Sequence, residues 1–123
     1  MDPAPKKTGR ILSFKYAFSG LAAASKQEPN LKIHLFFALL VTVSGIVFGI
    51  SQFEWIVIVA MTGLVISVEL TNTAIEAVVN HFTSEIHPGA KLAKDISAGA
   101  VLVVATTAAI VGLIVFLPYL KVR

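Results

Sequence analysis

Three long apolar segments set the strongest limit on how this chain can fold. They cover residues 35–50, residues 55–80 and residues 96–120. A helix needs about 20 mainly apolar residues to cross the hydrocarbon core of a bilayer. The third segment reaches this length alone. The first does so if the Lys32 side chain extends to the interface, and the second does so only if its helix continues through Glu69.

Composition supports a membrane protein. The chain has 123 residues, of which 56% are hydrophobic and only 14% are charged. A soluble domain of this size has too little interior to bury so much apolar surface. There are no cysteines, which excludes disulfides, thiolate metal sites and a cysteine nucleophile. We therefore expect an all-α integral membrane protein.

The apolar periodicity predicts one membrane-embedded domain over residues 1–123. Residues 1–9 form a disordered lead-in, and residues 10–27 form an amphipathic helix on the membrane surface. The apolar positions of that helix recur at helical spacing: Ile11, Phe14, Phe18, Leu21 and Ala22. The predicted transmembrane helices cover residues 31–50, 54–80 and 90–120.

The basic residues predict how the chain is oriented in the membrane. Eight of the ten lie before the first span or between the second and third, and only Lys121 and Arg123 lie beyond the third. The positive-inside rule then places the N-terminus and residues 81–95 in the cytoplasm and the C-terminus outside. A basic surface at this position faces anionic headgroups or an anionic substrate, so no nucleic-acid partner is needed to explain it.

The second span carries a polar stripe within "VISVELTNTAIEAVVN", residues 65–80. Glu69, Asn72, Glu76 and Asn80 are three or four residues apart, so they share one helix face. Carboxylates at membrane depth are costly and mark functional sites by default. Such a stripe can bind Mg²⁺ with substrate phosphates and supply a general base, which together favour phosphoryl transfer. The alternative is that the glutamates pair with lysines of a neighbouring helix.

A second cluster lies in "HPGAKLAKDISAGA", residues 87–100. If a helix begins at Pro88, then Lys91, Lys94 and Asp95 share a face. The lysines could hold phosphates, and Asp95 could orient one of them or help to bind metal. The simpler interpretation is that they are positive-inside anchors, and this interpretation is favoured for Lys91 but not for Lys94.

Other polar residues near the spans are less informative alone. Glu28 precedes Pro29 just before the first span and gains significance only beside other site residues. His34, His81 and His87 have no ligand spacing to one another, and we interpret them as interfacial residues.

Small residues predict close helix packing. Gly45 and Gly49 lie four residues apart in the first span. The third span has a small-residue face that includes Ala105, Ala108, Ala109 and Gly112. Such faces let helices approach closely in membranes.

"VELTNTAIEAVVN" (residues 68–80) followed by "AKDISAGAVLV" (residues 93–103) resembles the prokaryotic membrane kinase family of diacylglycerol kinases and undecaprenol kinases. The resemblance covers residue 10 to about residue 117. It implies a homotrimer in the bacterial plasma membrane, with composite active sites between protomers. It also implies that MgATP phosphorylates a lipid alcohol at the cytoplasmic face.

The resemblance also implies residue roles. Glu69 is then the general base for the lipid hydroxyl, and Glu28 and Glu76 hold the metal that bridges the ATP phosphates. The γ-phosphate is positioned, and the base supported, by Asn72, Lys94 and Asp95. The resemblance also implies contributions from the surface helix and its exit, with Arg10 and Tyr16 toward the nucleotide and Lys32 in a role that is not specified.

The resemblance leaves the acceptor open. "EPNLKIH" and "HPGAKLAKD" resemble the Gram-positive branch, whose members look like undecaprenol kinases, so undecaprenol is favoured over diacylglycerol. Asn80 stands where the family commonly has aspartate, which argues against a direct metal role there. Two alternatives of other classes are a small ion or proton transport subunit that uses Glu69 as a relay, and a structural membrane adaptor.

Overall fold

The computed structural model describes residues 9–82 and 87–121, which are almost entirely helical. The elements are α1 (Arg10–Gln27), α2 (Pro29–Phe48), α3 (Gln52–Phe82), α4 (Pro88–Phe116) and a closing 3₁₀ helix, Leu117–Leu120. Residues 1–8, which form nearly all of the expected disordered lead-in, lie outside the described residues.

Three helices are long and apolar enough to cross a membrane: α2, α3, and α4 together with the 3₁₀ helix. Over the described residues, the prediction of an all-helical protein with three helices able to span a membrane is thereby confirmed. At 31 residues, α3 is about 46 Å long, whereas the hydrocarbon core is about 30 Å thick. One end of α3 therefore extends beyond the core. No residue of α1 is buried, and its place on the membrane surface stays a prediction.

The turn between α2 and α3 is specified by its sequence. Gly49 has a φ of 62° and ends α2 in the left-handed conformation, which glycine adopts without steric cost. The backbone N–H of Ser51 donates to Glu54 Oε2 at 2.8 Å, and the Glu54 N–H donates to Ser51 Oγ at 3.2 Å. This reciprocal pair is a capping box, and it starts α3.

The two glycines of α2 have different roles. At Gly45 an added Cβ would come within 2.7 Å of the Trp55 ring, so this position requires glycine for close packing. An added Cβ at Gly49 would meet nothing within 4 Å. The prediction of a shared packing face is therefore right for Gly45 and wrong for Gly49, which is needed for its backbone conformation.

A small apolar core joins the three spans at the end of the molecule near this turn. It is formed by the buried residues Ile50, Ile58 and Val115, with Trp55 packed against them. Beside this core, Tyr119 donates a 2.6 Å hydrogen bond to Glu54 Oε2. The start of α3 therefore contacts the 3₁₀ helix that follows α4, and the hydrogen bonds Asn72–Ser97 and Asn80–Lys94 show that α3 and α4 pack antiparallel.

The polar stripe of α3 lies toward the opposite end of the molecule. There the junction of α1 and α2 meets the C-terminal half of α3 and the N-terminal half of α4, because α2 and α4 both run antiparallel to α3. α1 also packs against α2 and α3. This arrangement brings the polar stripe of α3 beside residues of three other helices.

Candidate active site

The polar stripe of α3 becomes steadily more exposed along the helix. Glu69 is 1% exposed and Asn72 is 7% exposed. Glu76 is half-buried and Asn80 is exposed. The stripe therefore runs from the protein interior to the surface, so a reacting group at Glu69 is sheltered from water while a phosphate chain can approach from the exposed end.

Glu69 has an unusual environment for a carboxylate. Among the described residues, its Oε2 atom is buried without a hydrogen-bond partner. His34 Nε2 on α2 lies 3.7 Å from this atom, which is too far for a hydrogen bond. A buried, unsatisfied carboxylate is destabilising by itself, so its retention points to a role in chemistry.

The alternative that Glu69 pairs with a lysine of a neighbouring helix is not supported. Within the part of the chain that the structure describes, the basic side chain that lies within 4 Å of Glu69 is that of His34, and no lysine does so. The sequence analysis treated His34 as an interfacial residue. The structure instead places it beside the deepest carboxylate, with a side chain only 18% exposed.

Asn72 is held by α4. Ser97 Oγ donates a 2.7 Å hydrogen bond to Asn72 Oδ1, and both residues are buried. This bond uses the amide oxygen, so the amide NH₂ of Asn72 can donate to a further group. The NH₂ group of Asn72 can therefore act as a hydrogen-bond donor at a position one turn along α3 from Glu69.

The lysine cluster of α4 divides into two arrangements. Lys94 Nζ donates a 3.0 Å hydrogen bond to Asn80 Oδ1 on α3, which fixes a half-buried ammonium group at the exposed end of the stripe. Lys91 pairs instead with Asp95 one turn along its own helix, and both side chains are well exposed. The structure thus brings Lys94 to the stripe, whereas Lys91 is held by Asp95.

Glu28 lies at the junction of two helices. It is the N-cap residue of α2, with extended backbone (φ −103°, ψ 109°), and Pro29 follows at the first helical position. Its side chain makes no capping hydrogen bond. The helix break between α1 and α2 therefore places a carboxylate without a capping role at the same end of the molecule as Glu76.

The carboxylates of Glu28 and Glu76 suit Mg²⁺ in the presence of phosphate. Within residues 9–82 and 87–121, no group of three or more His, Asp or Glu side chains could hold a metal alone. Mg²⁺ commonly uses one or two carboxylates and completes its octahedron with phosphate oxygens and water. This donor set therefore fits a nucleotide-bound Mg²⁺ and does not resemble a structural metal site.

An apolar cavity of about 360 Å³ lies between the three spans, and its lining on α3 ends at Ile66 and does not include Glu69. Its walls come from α2, α3 and α4. The end nearest Glu69 is lined by His34, Val65 and Ile66, and the other end reaches Ile58 and Gly112. The small-residue face predicted for the third span lines this cavity, since Ala105, Ala108 and Ala109 also border it.

Sequence reasoning missed three residues of this site. His34 and Ser97 are polar residues on apolar helices, and only the packing of those helices shows what they face. Thr73 Oγ1 is a second buried side-chain oxygen with no hydrogen-bond partner among the described residues. The feature of the sequence that could have indicated Thr73 was its position between Glu69 and Glu76 within the motif.

The three residues that the resemblance implicates on the surface helix and at its exit lie on the surface. Arg10 and Lys32 are exposed, and Tyr16 is 61% exposed on α1. The assignment of Arg10 and Tyr16 to nucleotide binding stays a prediction.

Comparison with known proteins relates this arrangement to one family. Residues 15–116 match the prokaryotic diacylglycerol kinase family. The chain is 42% identical over 108 residues to an undecaprenol kinase of Bacillus subtilis (strain 168), and the match covers 88% of each protein. It is 37% identical over 109 residues to a diacylglycerol kinase of Synechocystis sp., covering 88% of this chain and 62% of that protein. It is 33% identical over 95 residues to a diacylglycerol kinase of Escherichia coli (strain K12), covering 77% and 78%.

Proposed function

Because the chain belongs to the prokaryotic diacylglycerol kinase family, and is therefore an ATP-dependent lipid kinase, we propose that it phosphorylates undecaprenol to undecaprenyl phosphate. The observation that carries the chemistry is the buried carboxylate of Glu69, whose Oε2 atom has no hydrogen-bond partner among the described residues. The choice of acceptor is supported by the similarity to the Bacillus undecaprenol kinase.

Glu69 is the general base in this proposal. Its Oε2 takes the proton from the lipid hydroxyl while the hydroxyl oxygen attacks the γ-phosphorus. The bond from that phosphorus to the oxygen bridging to the β-phosphate breaks, and ADP leaves with the bridging oxygen. General base catalysis contributes about 10²–10⁴-fold to such reactions. The Oε2 atom is suited to this role because no described protein donor occupies it.

The polar groups around Glu69 position the phosphates. Lys94, held by Asn80, supplies a positive charge for the γ-phosphate, and charge developing on that group is stabilised by such fixed donors. Asn72 offers its amide NH₂ because Ser97 occupies its oxygen. Asp95, which pairs with Lys91, is proposed to help to position the γ-phosphate.

Glu28 and Glu76 are the proposed ligands of Mg²⁺. A bound Mg²⁺ would supply positive charge that neutralises the nucleotide phosphates. Each of the two residues is half-buried, so each carboxylate could offer an oxygen to the ion.

The proposed orientation places this site at the cytoplasmic face of the cell membrane. Glu69 is 17 residues from the start of α3 at Gln52, which corresponds to a rise of about 25 Å. It therefore lies near the far edge of the hydrocarbon core, while Glu76 and Asn80 extend past it. The asymmetric distribution of basic residues supports assigning that side to the cytoplasm.

We also propose that the working form is a homotrimer with active sites between protomers, as the family resemblance implies. Large apolar side chains are exposed along every helix, as Phe18, Phe36, Val59 and Leu102 illustrate. These surfaces can contact lipid or another copy of the chain. An interprotomer site also gives a role to the exposed Tyr16.

A transfer assay tests the acceptor. The purified protein in detergent would receive γ-labelled ATP and Mg²⁺ with either undecaprenol or diacylglycerol in separate reactions. We expect the label to move mainly to undecaprenol. Label that moves mainly to diacylglycerol would keep the kinase mechanism and overturn the acceptor. Absence of label on both lipids, from folded protein, would overturn the proposed function.

A further inference from the structure

We propose that the side-chain amide of Asn80 binds a phosphate of the nucleotide, so that Asn80 and Lys94 together form a two-donor phosphate subsite between α3 and α4. This inference rests on the proposed function and deepens it, since it adds a residue that contacts the nucleotide directly. Two observations carry it. Lys94 donates a hydrogen bond to Asn80, and among the described residues Lys94 belongs to no ion pair.

The chemistry of lysine determines how the Asn80 amide is turned. Lys94 Nζ lies 3.0 Å from Asn80 Oδ1, and an ammonium group has donors but no acceptor. The amide atom that faces Lys94 must therefore be the oxygen. The bond lengths of a planar amide place its nitrogen about 2.2 Å from that oxygen, so the NH₂ group is held within about 5 Å of Nζ. Within the described residues, neither of its N–H groups donates to another side chain.

The position of Asn80 indicates which phosphate it meets. Asn80 is exposed and Lys94 is half-buried, so a nucleotide can reach the pair from solvent. Asn80 lies about three turns beyond Glu69 on α3, a rise of about 16 Å. Its short side chain cannot reach the phosphate that is transferred next to Glu69, whereas the longer side chain of Lys94 can extend toward it. The amide therefore binds a phosphate that remains in ADP.

The subsite carries a net positive charge because Asn80 is neutral. Lys91 and Asp95 offset each other as an ion pair, but the partner of Lys94 is an uncharged amide oxygen. An aspartate at this position would hold the same lysine, cancel its charge and offer no N–H group. Charge-assisted hydrogen bonds are the stronger kind for holding phosphate oxygens. The asparagine thus leaves the charge of Lys94 available and adds a donor beside it.

Two substitutions of Asn80 separate the loss of the donor from the addition of charge. Asn80→Ala removes the amide, whereas Asn80→Asp keeps the oxygen that faces Lys94, removes the N–H groups and adds a negative charge. Calorimetric titration of the purified protein in detergent with ADP and Mg²⁺ measures the contact without catalysis. We expect the Kd for ADP to rise about 10-fold in Asn80→Ala and up to about 100-fold in Asn80→Asp, as for loss of hydrogen bonds to a charged group. The KM for the lipid should stay at the wild-type value in both variants.

His81→Asp is the matched control. It adds the same charge at the next position of α3, which is also exposed and points about 100° away around the helix. Its Kd for ADP should stay close to the wild-type value. Equal weakening of ADP binding in Asn80→Asp and His81→Asp would show that only net charge matters, and would overturn the inference.

The remaining outcomes are also decisive. Unchanged ADP binding in Asn80→Ala would overturn the amide contact, while phosphate transfer by the wild type would keep the proposed function. An increase in the KM for the lipid as large as the increase in the Kd for ADP would show a structural role for Asn80 and also overturn the contact. A folded wild-type protein that neither binds ADP nor labels a lipid would instead overturn the proposed function itself.

Discussion

Ser97 on α4 donates a 2.7 Å hydrogen bond to Asn72 on α3, and both side chains are buried one turn from Glu69. The bond joins the two helices that carry most of the proposed phosphate-binding groups. It also determines which end of the Asn72 amide faces the site. A serine in an apolar span thus helps to position an asparagine in the active site.

Ser97→Ala should therefore weaken both stability and activity. It leaves Asn72 Oδ1 buried without its donor, and hydrogen bonds between membrane helices contribute about 0.6–1.7 kcal/mol. Thermal unfolding in detergent measures the first effect, and kcat at saturating lipid and ATP measures the second. The control is Thr106→Ala, whose hydroxyl bonds only within its own helix. If Ser97→Ala and the control behave alike, the bond does not position Asn72.

Lys94→Ala should raise the KM for ATP, and Lys91→Ala should change it little. Lys94 is fixed on the stripe by Asn80, whereas Lys91 is exposed and paired with Asp95. Loss of one charge-assisted hydrogen bond corresponds to about 10- to 100-fold in affinity. Steady-state kinetics with ATP as the varied substrate measure both variants. Similar effects of the two substitutions would show that only the net charge of α4 matters.

Glu28→Gln and Glu76→Gln should each raise the Mg²⁺ concentration that half-activates the enzyme. Removing a group that only supports a metal ligand already costs about 10- to 100-fold in metal affinity, so loss of a ligand should cost at least that. A Mg²⁺ titration at fixed ATP measures the change. An unaltered titration for either variant would remove that residue from the metal site.

Gly45→Ala should destabilise the fold, because its Cβ would lie 2.7 Å from the Trp55 ring. Overpacking of this kind costs about 1–3 kcal/mol. Gly63→Ala is the control, since an added Cβ there meets nothing within 4 Å. Thermal unfolding should separate the two variants, and equal unfolding temperatures would show that α2 can shift away from Trp55.

The sequence was sufficient to predict the elements of this fold that depend on local pattern. The spacing of Glu69, Asn72 and Glu76 placed them on one helix face, and the long apolar runs predicted three spans. These inferences need only helix geometry and the length of a bilayer crossing. The approximate positions of the helices follow for the same reason.

Contacts between helices could not be predicted in this way. Whether His34 faces Glu69, and whether Ser97 faces Asn72, depends on how each helix is rotated about its axis. Hydropathy does not determine that rotation when every face of a span is apolar. Gly49 illustrates a second limit, since spacing alone does not distinguish a packing glycine from one that ends a helix with positive φ.

The central claim is that Glu69 is the base of a lipid kinase, and Glu69→Gln tests it most directly. The substitution keeps the size of the side chain and removes its ability to take a proton. Transfer of label from γ-labelled ATP to undecaprenol should fall by about 10²–10⁴-fold, while thermal unfolding stays close to that of the wild type. Glu54→Gln, at the opposite end of α3, should retain its activity. A folded Glu69→Gln protein that transfers phosphate at the wild-type rate would contradict the account.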